Sequence, residues 1–303
     1  MTSRHARLDA LAMGLMLLFS ALWGFNQVAV KVANASISPL FQAGLRSAGA
    51  AAMIWVWCGA RNIPLRTRDG SLWPGLLAGA LFAAEFGLIY WGLEFTTASR
   101  GVLFLYTAPF VVAGGMHWLI PTERLRSVQI VGLICAFVGV FAAFAEGVMS
   151  STGWQWLGDG MMLVAAVLWG ATTVVVRASA LARINPAKTL LYQLAVSAAC
   201  LLAASVLVRE PGFTNPSSLG IASLVWQIVM VAFASYLGWF WLISRYPATE
   251  LSSFTFLTPL FGMAFGAGLL GEHVGPVLVL ALALVALGLW LVNRQPRSVI
   301  IGR

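Results

Sequence analysis

Long apolar stretches separated by short polar connections run through the whole chain. About 20 mostly apolar residues in a helix cross the hydrocarbon core of a bilayer, and ten stretches approach this length. They are residues 9–32, 39–59, 72–94, 98–119, 127–145, 157–179, 186–207, 219–243, 248–270 and 275–292. Prolines stand at or near the starts of several stretches, as Pro39, Pro186 and Pro276 do. The pattern predicts an all-α integral membrane protein with ten transmembrane helices.

The composition supports a membrane location. Hydrophobic residues make up 60% of the chain and charged residues 9%, and the mean hydropathy is +0.88. The polar surface of such a chain is too small to cover its apolar content in water. Cys58, Cys135 and Cys200 lie inside apolar stretches without metal-ligand spacing. We therefore expect them to be buried small side chains, with no metal site and no cofactor.

Basic residues outnumber acidic residues by 18 to 10, and their placement indicates membrane orientation rather than nucleic-acid binding. They fall in short connections between the apolar stretches, as the positive-inside rule describes. With a cytoplasmic N-terminus, the basic residues on the inner side are Arg4, Arg7, Arg61, Arg66, Arg68, Arg124, Arg126, Arg183, Lys188, Arg245, Arg294, Arg297 and Arg303. Only Arg100 and Arg209 then fall clearly outside. The rule predicts that both termini are cytoplasmic.

A ten-residue stretch of the first apolar segment returns in the sixth. Residues 22–31 read LWGFNQVAVK and residues 168–177 read LWGATTVVVR. Further on, Thr107-Ala108-Pro109-Phe110 corresponds to Leu257-Thr258-Pro259-Leu260. These matches predict two repeats of five helices, residues 1–147 and 153–303. A unit with an odd number of spans ends on the opposite side of the membrane, so its copy is inverted, as in alternating-access transporters.

These paired motifs resemble those of the drug/metabolite transporter superfamily, specifically its EamA-type members with ten helices. The resemblance rests on a Trp-Gly followed by a basic residue in the first and sixth helices, on Pro109 and Pro259, and on the turns at Glu123 and Glu272. The chain looks most similar to the YddG-type exporters. That likeness implies export of aromatic and other neutral amino acids across the bacterial inner membrane, from a cavity among helices 1, 3, 4, 6, 8 and 9.

Glu85 lies near the middle of the third apolar stretch, where an ionised side chain costs about 3 kcal/mol or more. We expect it to face the interior of the bundle. One interpretation makes it a ligand for a substrate amine or a site of proton binding. The other makes it the structural partner of a basic residue such as Arg46 or Lys31.

Pro109 and Pro259 are expected to act as conformational elements. Each removes a backbone donor inside a predicted helix, leaving the carbonyl of Leu105 or Thr255 without its usual partner. Matched interruptions in two repeats point to a binding site and to bending. The alternative is a static kink in which the hydroxyl of Thr107 or Thr258 satisfies a carbonyl.

Aromatic and polar residues gather near these features and predict a substrate site. The candidates are Trp23, Asn26, Glu85, Tyr90, Phe104, Tyr106, Trp169, Thr172, Tyr236 and Trp239. Aromatic walls with a few polar groups suit a ring-bearing or long apolar substrate, to which an indole or phenol tip offers one hydrogen bond. In a chain with 13 Trp and 18 Phe, the alternative for each aromatic residue is a position facing lipid.

Several classes of protein are disfavoured. The chain has no phosphate-binding Gly-rich loop, no nucleophile elbow and no His pair at zinc spacing, so we predict neither an ATP-driven pump nor an enzyme. Few cations approach the membrane interior, which argues against sugar-phosphate exchange, and isolated aromatic positions argue against a channel. The prediction is an amino-acid exporter, with another small metabolite or a cationic drug as the alternative substrate. The expected partners are that substrate and the bilayer, and the expected working unit is a monomer; coupling to protons stays open.

Overall fold

In the computed structural model, residues 7–96, 101, 104–120, 124–149, 153–270 and 276–293 are described, and they contain helices but no strand. The main helices are α1 (Ala10–Asn34), α2 (Pro39–Ala60), α3 (Leu72–Gly92), α4 (Ala108–Leu119), α5 (Ser127–Met149), α6 (Gln155–Ala178), α7 (Pro186–Leu207), α8 (Ser218–Arg245), α9 (residues 248–270) and α10 (Pro276–Asn293). The described residues therefore confirm the predicted all-α fold class.

Five of these helices are long and apolar enough to cross a membrane: α1, α3, α6, α7 and α8. Shorter apolar helices are found at residues 127–142 and 283–293. These lengths and compositions establish a helical membrane protein, because no soluble domain tolerates so many apolar helices with outward-facing apolar side chains.

Local sequence determines where several helices begin. Pro39 and Pro186 occupy the first turns of α2 and α7, where a missing backbone donor costs nothing. The side chain of Asn185 accepts a hydrogen bond from the Ala187 nitrogen at 2.9 Å, and Asp9 does the same for Ala12 at 2.8 Å. These caps satisfy amide groups that a helix start leaves without partners.

The fourth helix differs from the prediction. Its predicted span was 98–119, but the chain turns at Tyr106 and Thr107 and α4 begins at Ala108; residues 97–100 and 102–103 lie outside the described part. The Thr107 hydroxyl donates to the Phe104 carbonyl at 2.7 Å. Pro109 therefore stands in a first turn rather than inside a continuous helix, and a side chain satisfies a carbonyl at the break.

The ninth helix is interrupted at the corresponding place. A single 3₁₀ turn, Phe254–Phe256, precedes the segment Leu257–Leu270 in which Pro259 is the third residue. The Thr255 hydroxyl donates to the Ser252 carbonyl at 2.7 Å. Both prolines thus follow a local break in the helix, which is where proline is tolerated.

Glycines let pairs of helices approach to backbone distance. A Cβ added at Gly132 of α5 would lie 2.7 Å from the Gly288 carbonyl oxygen of α10, and one added at Gly79 of α3 would lie 2.6 Å from Val196 of α7. Small residues at such crossings provide the close packing that holds helices together in lipid. Gly75 and Gly79 of α3 are therefore used for packing on α7.

Two acidic side chains connect α2 and α7 to distant loops at opposite ends of the bundle. At one end, Lys188 of α7 donates to Asp69 and to Thr67, both at 2.8 Å. Lys188, followed by the hydroxyls of Ser71 and Thr67, holds the pKa of Asp69 well below its usual range. The ion pair is therefore fully present at neutral pH and is lost only as the pH falls through that lowered value.

At the other end, Glu210 caps the start of α2. Its two carboxylate oxygens accept hydrogen bonds from the backbone nitrogens of Leu40 at 3.0 Å and Phe41 at 2.8 Å. The backbone of the same loop pairs with the α1–α2 connection, where the Ser38 nitrogen donates to the Gly212 carbonyl at 2.8 Å. An acid at a helix N-terminus is electrostatically favourable, so Glu210 stabilises the packing of its loop against the start of α2.

The Gly132–Gly288 crossing generates a stability prediction. We expect Gly132→Val to destabilise the protein by about 1–3 kcal/mol, because the new side chain meets the α10 backbone. The measurement is thermal unfolding of the purified protein in detergent. Gly14→Val is the matched control, since a Cβ at Gly14 meets nothing within 4 Å. Equal melting temperatures for the two variants would contradict the packing argument.

Candidate functional site

A central cavity with about 860 Å³ of empty space lies among α1, α3, α6 and α8. Leu105 and Tyr106, which precede α4, and Gln193 of α7 complete its wall. Nine predicted site residues line it: Trp23, Asn26, Glu85, Tyr90, Tyr106, Trp169, Thr172, Tyr236 and Trp239. Phe104 does not line the cavity and packs against the hydrophobic core. No described residue of α9 lines the cavity, although the family resemblance implied one.

Aromatic rings form much of the cavity wall. The rings of Trp23 and Trp239 meet edge to face with centroids 5.7 Å apart, and those of Tyr106 and Trp169 do so at 5.5 Å. Tyr236 lies within 6.3 Å of the Trp23 ring. Such edge-to-face arrangements hold the rings in fixed positions and leave their faces for a ring or an apolar chain.

Two of the aromatic tips are already occupied by protein acceptors. The Trp23 indole nitrogen donates to the Ser235 hydroxyl at 2.8 Å, and the Tyr90 hydroxyl donates to the Gln227 side-chain oxygen at 2.8 Å. The expectation that these tips offer a free hydrogen bond to a ligand is therefore wrong in this structure. Trp23 and Tyr90 shape the wall instead.

The acceptors of these two bonds lie in an irregular part of α8. Residues Gln227–Ser235 form a π-helical segment between two α-helical segments. The Ser235 hydroxyl itself donates a hydrogen bond to the Val231 carbonyl at 2.7 Å, within the same segment. Wider helical turns of this kind are frequent at functional sites because they redirect side chains, and here they turn Gln227 and Ser235 toward the cavity wall.

Three lining residues carry buried polar atoms without a hydrogen-bond partner among the described residues. These atoms are the Asn26 side-chain oxygen, the Glu85 Oε2 and both amide atoms of Gln193. Glu85 is 5% exposed and Gln193 is fully buried. A buried polar group without a partner is costly, so these atoms are available to a ligand or to water. Sequence reasoning missed Gln193, although an amide inside an apolar stretch was a usable signal.

Arg46 of α2 lies directly behind the cavity wall. Its guanidinium carbon is 3.9 Å from the centroid of the Phe86 ring and within about 6 Å of the Tyr90 and Tyr236 rings, and all three of these residues line the cavity. It forms no ion pair with Glu85, and its three guanidinium nitrogens find no hydrogen-bond partner in the described part of the chain. The direct Glu85–Arg46 pair that sequence reasoning considered is therefore not formed.

Arg46 was considered at the sequence level only as a partner for Glu85. Its place behind three cavity-lining rings follows from how α2 packs beside α3 and α8, which no local pattern encodes. The cavity thus has a carboxylate on its wall and a cation one layer behind it. No group of three metal-ligating side chains occurs among the described residues.

A helical membrane protein with a central cavity, and with unpaired polar groups inside an apolar bundle, has the features of a membrane transporter. Comparison with known families agrees. The sequence profile of the EamA-like transporter family matches residues 10–145 and 156–294, and the chain belongs to this family. It is a transporter and not an enzyme, as the sequence predicted, and the resemblance to EamA-type members is confirmed.

Its relatives carry transporter names. The chain is 26% identical to an uncharacterized transporter of Synechocystis sp., over 90% of this chain and 87% of the relative. It is 26% identical to a probable amino-acid metabolite efflux pump of Escherichia coli, over 91% of this chain and 93% of that protein. A solved crystal structure superposes with a TM-score of 0.80 at 17% identity, covering 94% of this chain and 96% of the other. That likeness concerns the fold alone.

The Tyr106–Trp169 contact generates a prediction. We expect Trp169→Ala to weaken binding of a ring-bearing substrate about tenfold, because the cavity loses an aromatic face and Tyr106 loses its partner. The measurement is the half-saturation concentration of transport in liposomes. Trp118→Ala is the control, since Trp118 is 83% exposed. Unchanged kinetics for Trp169→Ala would remove this residue from the site.

Proposed function

We propose that this protein exports amino acids, aromatic and other neutral ones, from the bacterial cytoplasm by alternating access. The observation that carries the proposal is the pairing of an aromatic cavity with the unpartnered carboxylate of Glu85 and the unpartnered amide of Gln193. The name of the Escherichia coli relative, a probable amino-acid metabolite efflux pump, supports the same class of substrate.

The chemistry of the cavity matches the parts of an amino acid. The substrate ammonium group would meet the Glu85 carboxylate and the Asn26 oxygen, while the Gln193 amide would donate to the substrate carboxylate. Arg46, one layer behind the rings, contributes a positive potential that favours the carboxylate without touching it. The aromatic faces of Trp169 and Trp239 would hold the side chain.

Alternating access requires two halves that can rock against each other, and three features support such halves. The family profile matches the chain twice, in residues 10–145 and 156–294. The breaks at Pro109 and Pro259 occupy corresponding places. One acid from each half forms hydrogen bonds with the other half, and the two contacts lie at opposite ends of the bundle. Asp69 binds Lys188 of α7, and Glu210 binds the start of α2. In this proposal ten spans form two inverted five-helix repeats, both termini are cytoplasmic, and a single chain is the working unit.

One other substrate class has a specific observation in its favour. Among the described residues that line the central cavity, Glu85 is the only acid. A buried carboxylate suits a cationic amine or drug as well as an amino acid. The two classes differ in the carboxylate, which only the amino acid carries.

The test is uptake and counterflow of radiolabelled tryptophan and phenylalanine in liposomes that hold the purified protein, with and without a pH gradient. A carrier for these substrates shows saturable uptake and self-exchange. Uptake of a cationic amine such as tryptamine, without counterflow by any amino acid, would overturn the amino-acid proposal in favour of an amine exporter.

Glu85→Gln tests the role of the carboxylate. A charge-assisted hydrogen bond contributes about 1.5–3 kcal/mol, so we expect roughly tenfold to hundredfold weaker binding of amino acids. The measurement is competition by unlabelled tryptophan in counterflow at several pH values. Glu94→Gln serves as the control, because Glu94 lies exposed just beyond the end of α3. If the variant is fully active and its transport rate does not depend on pH, Glu85 is a structural group.

A further inference from the structure

A second, wider groove opens at the end of the bundle where α2 and α8 finish and α7 begins. It has about 2600 Å³ of open space and is bounded by the ends of α2, α6 and α8 and by the α6–α7 connection. Four of its lining residues are arginines, Arg61, Arg177, Arg183 and Arg245, and none of the lining residues is acidic. Among the described residues, the wall of the groove therefore carries positive charge and no acid.

Three of these guanidinium groups are held against the wall. Arg61 lies over the Trp57 ring at 4.7 Å and Arg245 over the Trp241 ring at 4.6 Å. Arg177 donates to the Ile243 carbonyl at 2.7 Å. Arg61 and Arg245 keep their donors for an anion, because a contact with an aromatic face does not neutralise a charge. This arrangement differs from arginines extended into water.

A small pocket of about 240 Å³ adjoins the groove and shares one lining residue with the central cavity. It shares Arg177 and Ser244 with the groove and Phe240 with the central cavity. Its other walls include Val176 and Thr189, which lie one helical turn from the cavity residues Thr173 and Gln193. Three spaces therefore follow one another along α6, α7 and α8, and the nearly buried Phe240 ring stands between the last two.

We propose that the groove is the cytoplasmic mouth of the transport path for substrates that carry a carboxylate, and that Phe240 closes the passage to the central cavity. This inference rests on the proposed function and adds the route and its recognition chemistry. The arginines attract the substrate carboxylate at the mouth. Among the described residues that line the three spaces, Glu85 is the first acid that the substrate ammonium group meets on this route.

The charge of the mouth is tested by thiol labelling, which needs no substrate. Ser244→Cys places a thiol between the groove and the small pocket. Both reagents are applied from the cytoplasmic side, and each rate is divided by the rate of the same reagent with a small thiol in solution. The anionic 2-sulfonatoethyl methanethiosulfonate should then react roughly tenfold faster than its trimethylammonium counterpart. Labelling of the parent chain, with its three native cysteines, gives the background.

Substitution of the arginines gives the decisive comparison. Arg61→Gln with Arg183→Gln should abolish most of that preference, whereas Arg66→Gln should preserve it, because Arg66 is an exposed arginine of the same end that does not line the groove. An equal loss in both cases, or no preference in the parent, would overturn the proposed mouth.

The gate is tested with Thr173→Cys, a thiol on the far side of Phe240. Phe240→Ala should raise its labelling rate from the cytoplasmic side at least severalfold, and Phe240→Leu by less, because a smaller side chain leaves the passage open. Phe233→Ala is the matched control, since Phe233 lies on the same helix and lines none of the three spaces. Labelling unaffected by Phe240→Ala in a correctly folded variant would refute the gate.

Transport separates this inference from the proposed function. Expected labelling together with amino-acid counterflow supports both, and the arginine substitutions should then raise the half-saturation concentration on the cytoplasmic side severalfold. Expected labelling without transport of any carboxylate-bearing substrate overturns the substrate class of both proposals while the gated passage stands. Amino-acid counterflow with labelling indifferent to the arginines and to Phe240 overturns the passage alone.

Discussion

A hydrocarbon environment supplies no hydrogen bonds, so every polar group inside the bundle must find a partner there or remain costly. Most of this protein obeys the constraint through helical backbone bonds and short side-chain bonds. The Thr107 hydroxyl satisfies a carbonyl at the break before α4, and Thr172 and Thr173 bond back to their own helix. Gln227 and Ser235 accept hydrogen bonds from Tyr90 and Trp23 of other helices.

One group of exceptions lies around the central cavity. Glu85, Gln193 and Asn26 keep unpartnered atoms on its wall, and Arg46 keeps three unpartnered nitrogens behind it. Other unpartnered buried atoms, such as those of Asn34, Thr249 and Asn293, lie away from this cavity. Polar atoms on the wall of a cavity can be satisfied by water or by a ligand. The aromatic rings between Arg46 and the cavity lower the cost of its charge, because their faces attract a cation.

Sequence reasoning reached the helices and much of the wall for a common reason. Apolar stretches of spanning length specify helices almost alone, and Trp23 and Asn26 share a helix face by spacing alone. Its failures also share a cause. The turn at Tyr106 and Thr107 and the π segment of α8 depend on which helices meet, and pairing between helices leaves no local pattern.

The basic groove could not be predicted from the sequence, for a different reason. Arg61, Arg183 and Arg245 fit the positive-inside rule, and that explanation is sufficient for each of them separately. Only the fold shows that they surround one concave space together with Arg177, and that no acid lines it among the described residues. Asp69 and Lys188, at the same end of the bundle, neutralise each other's charge.

The charges change sign along α6, α7 and α8 toward the cavity. Cations surround the outer groove, the small pocket is mostly apolar apart from Arg177, and Glu85 stands on the far wall of the cavity. On the proposed path, a zwitterion would be attracted by its carboxylate at the groove and by its ammonium group at Glu85, with Phe240 between the two places. Weak binding at successive places allows a substrate to move on rather than remain bound. The same order of charges would disfavour a plain cation at the mouth, and the proposed path would therefore select substrates before they reach the aromatic cavity.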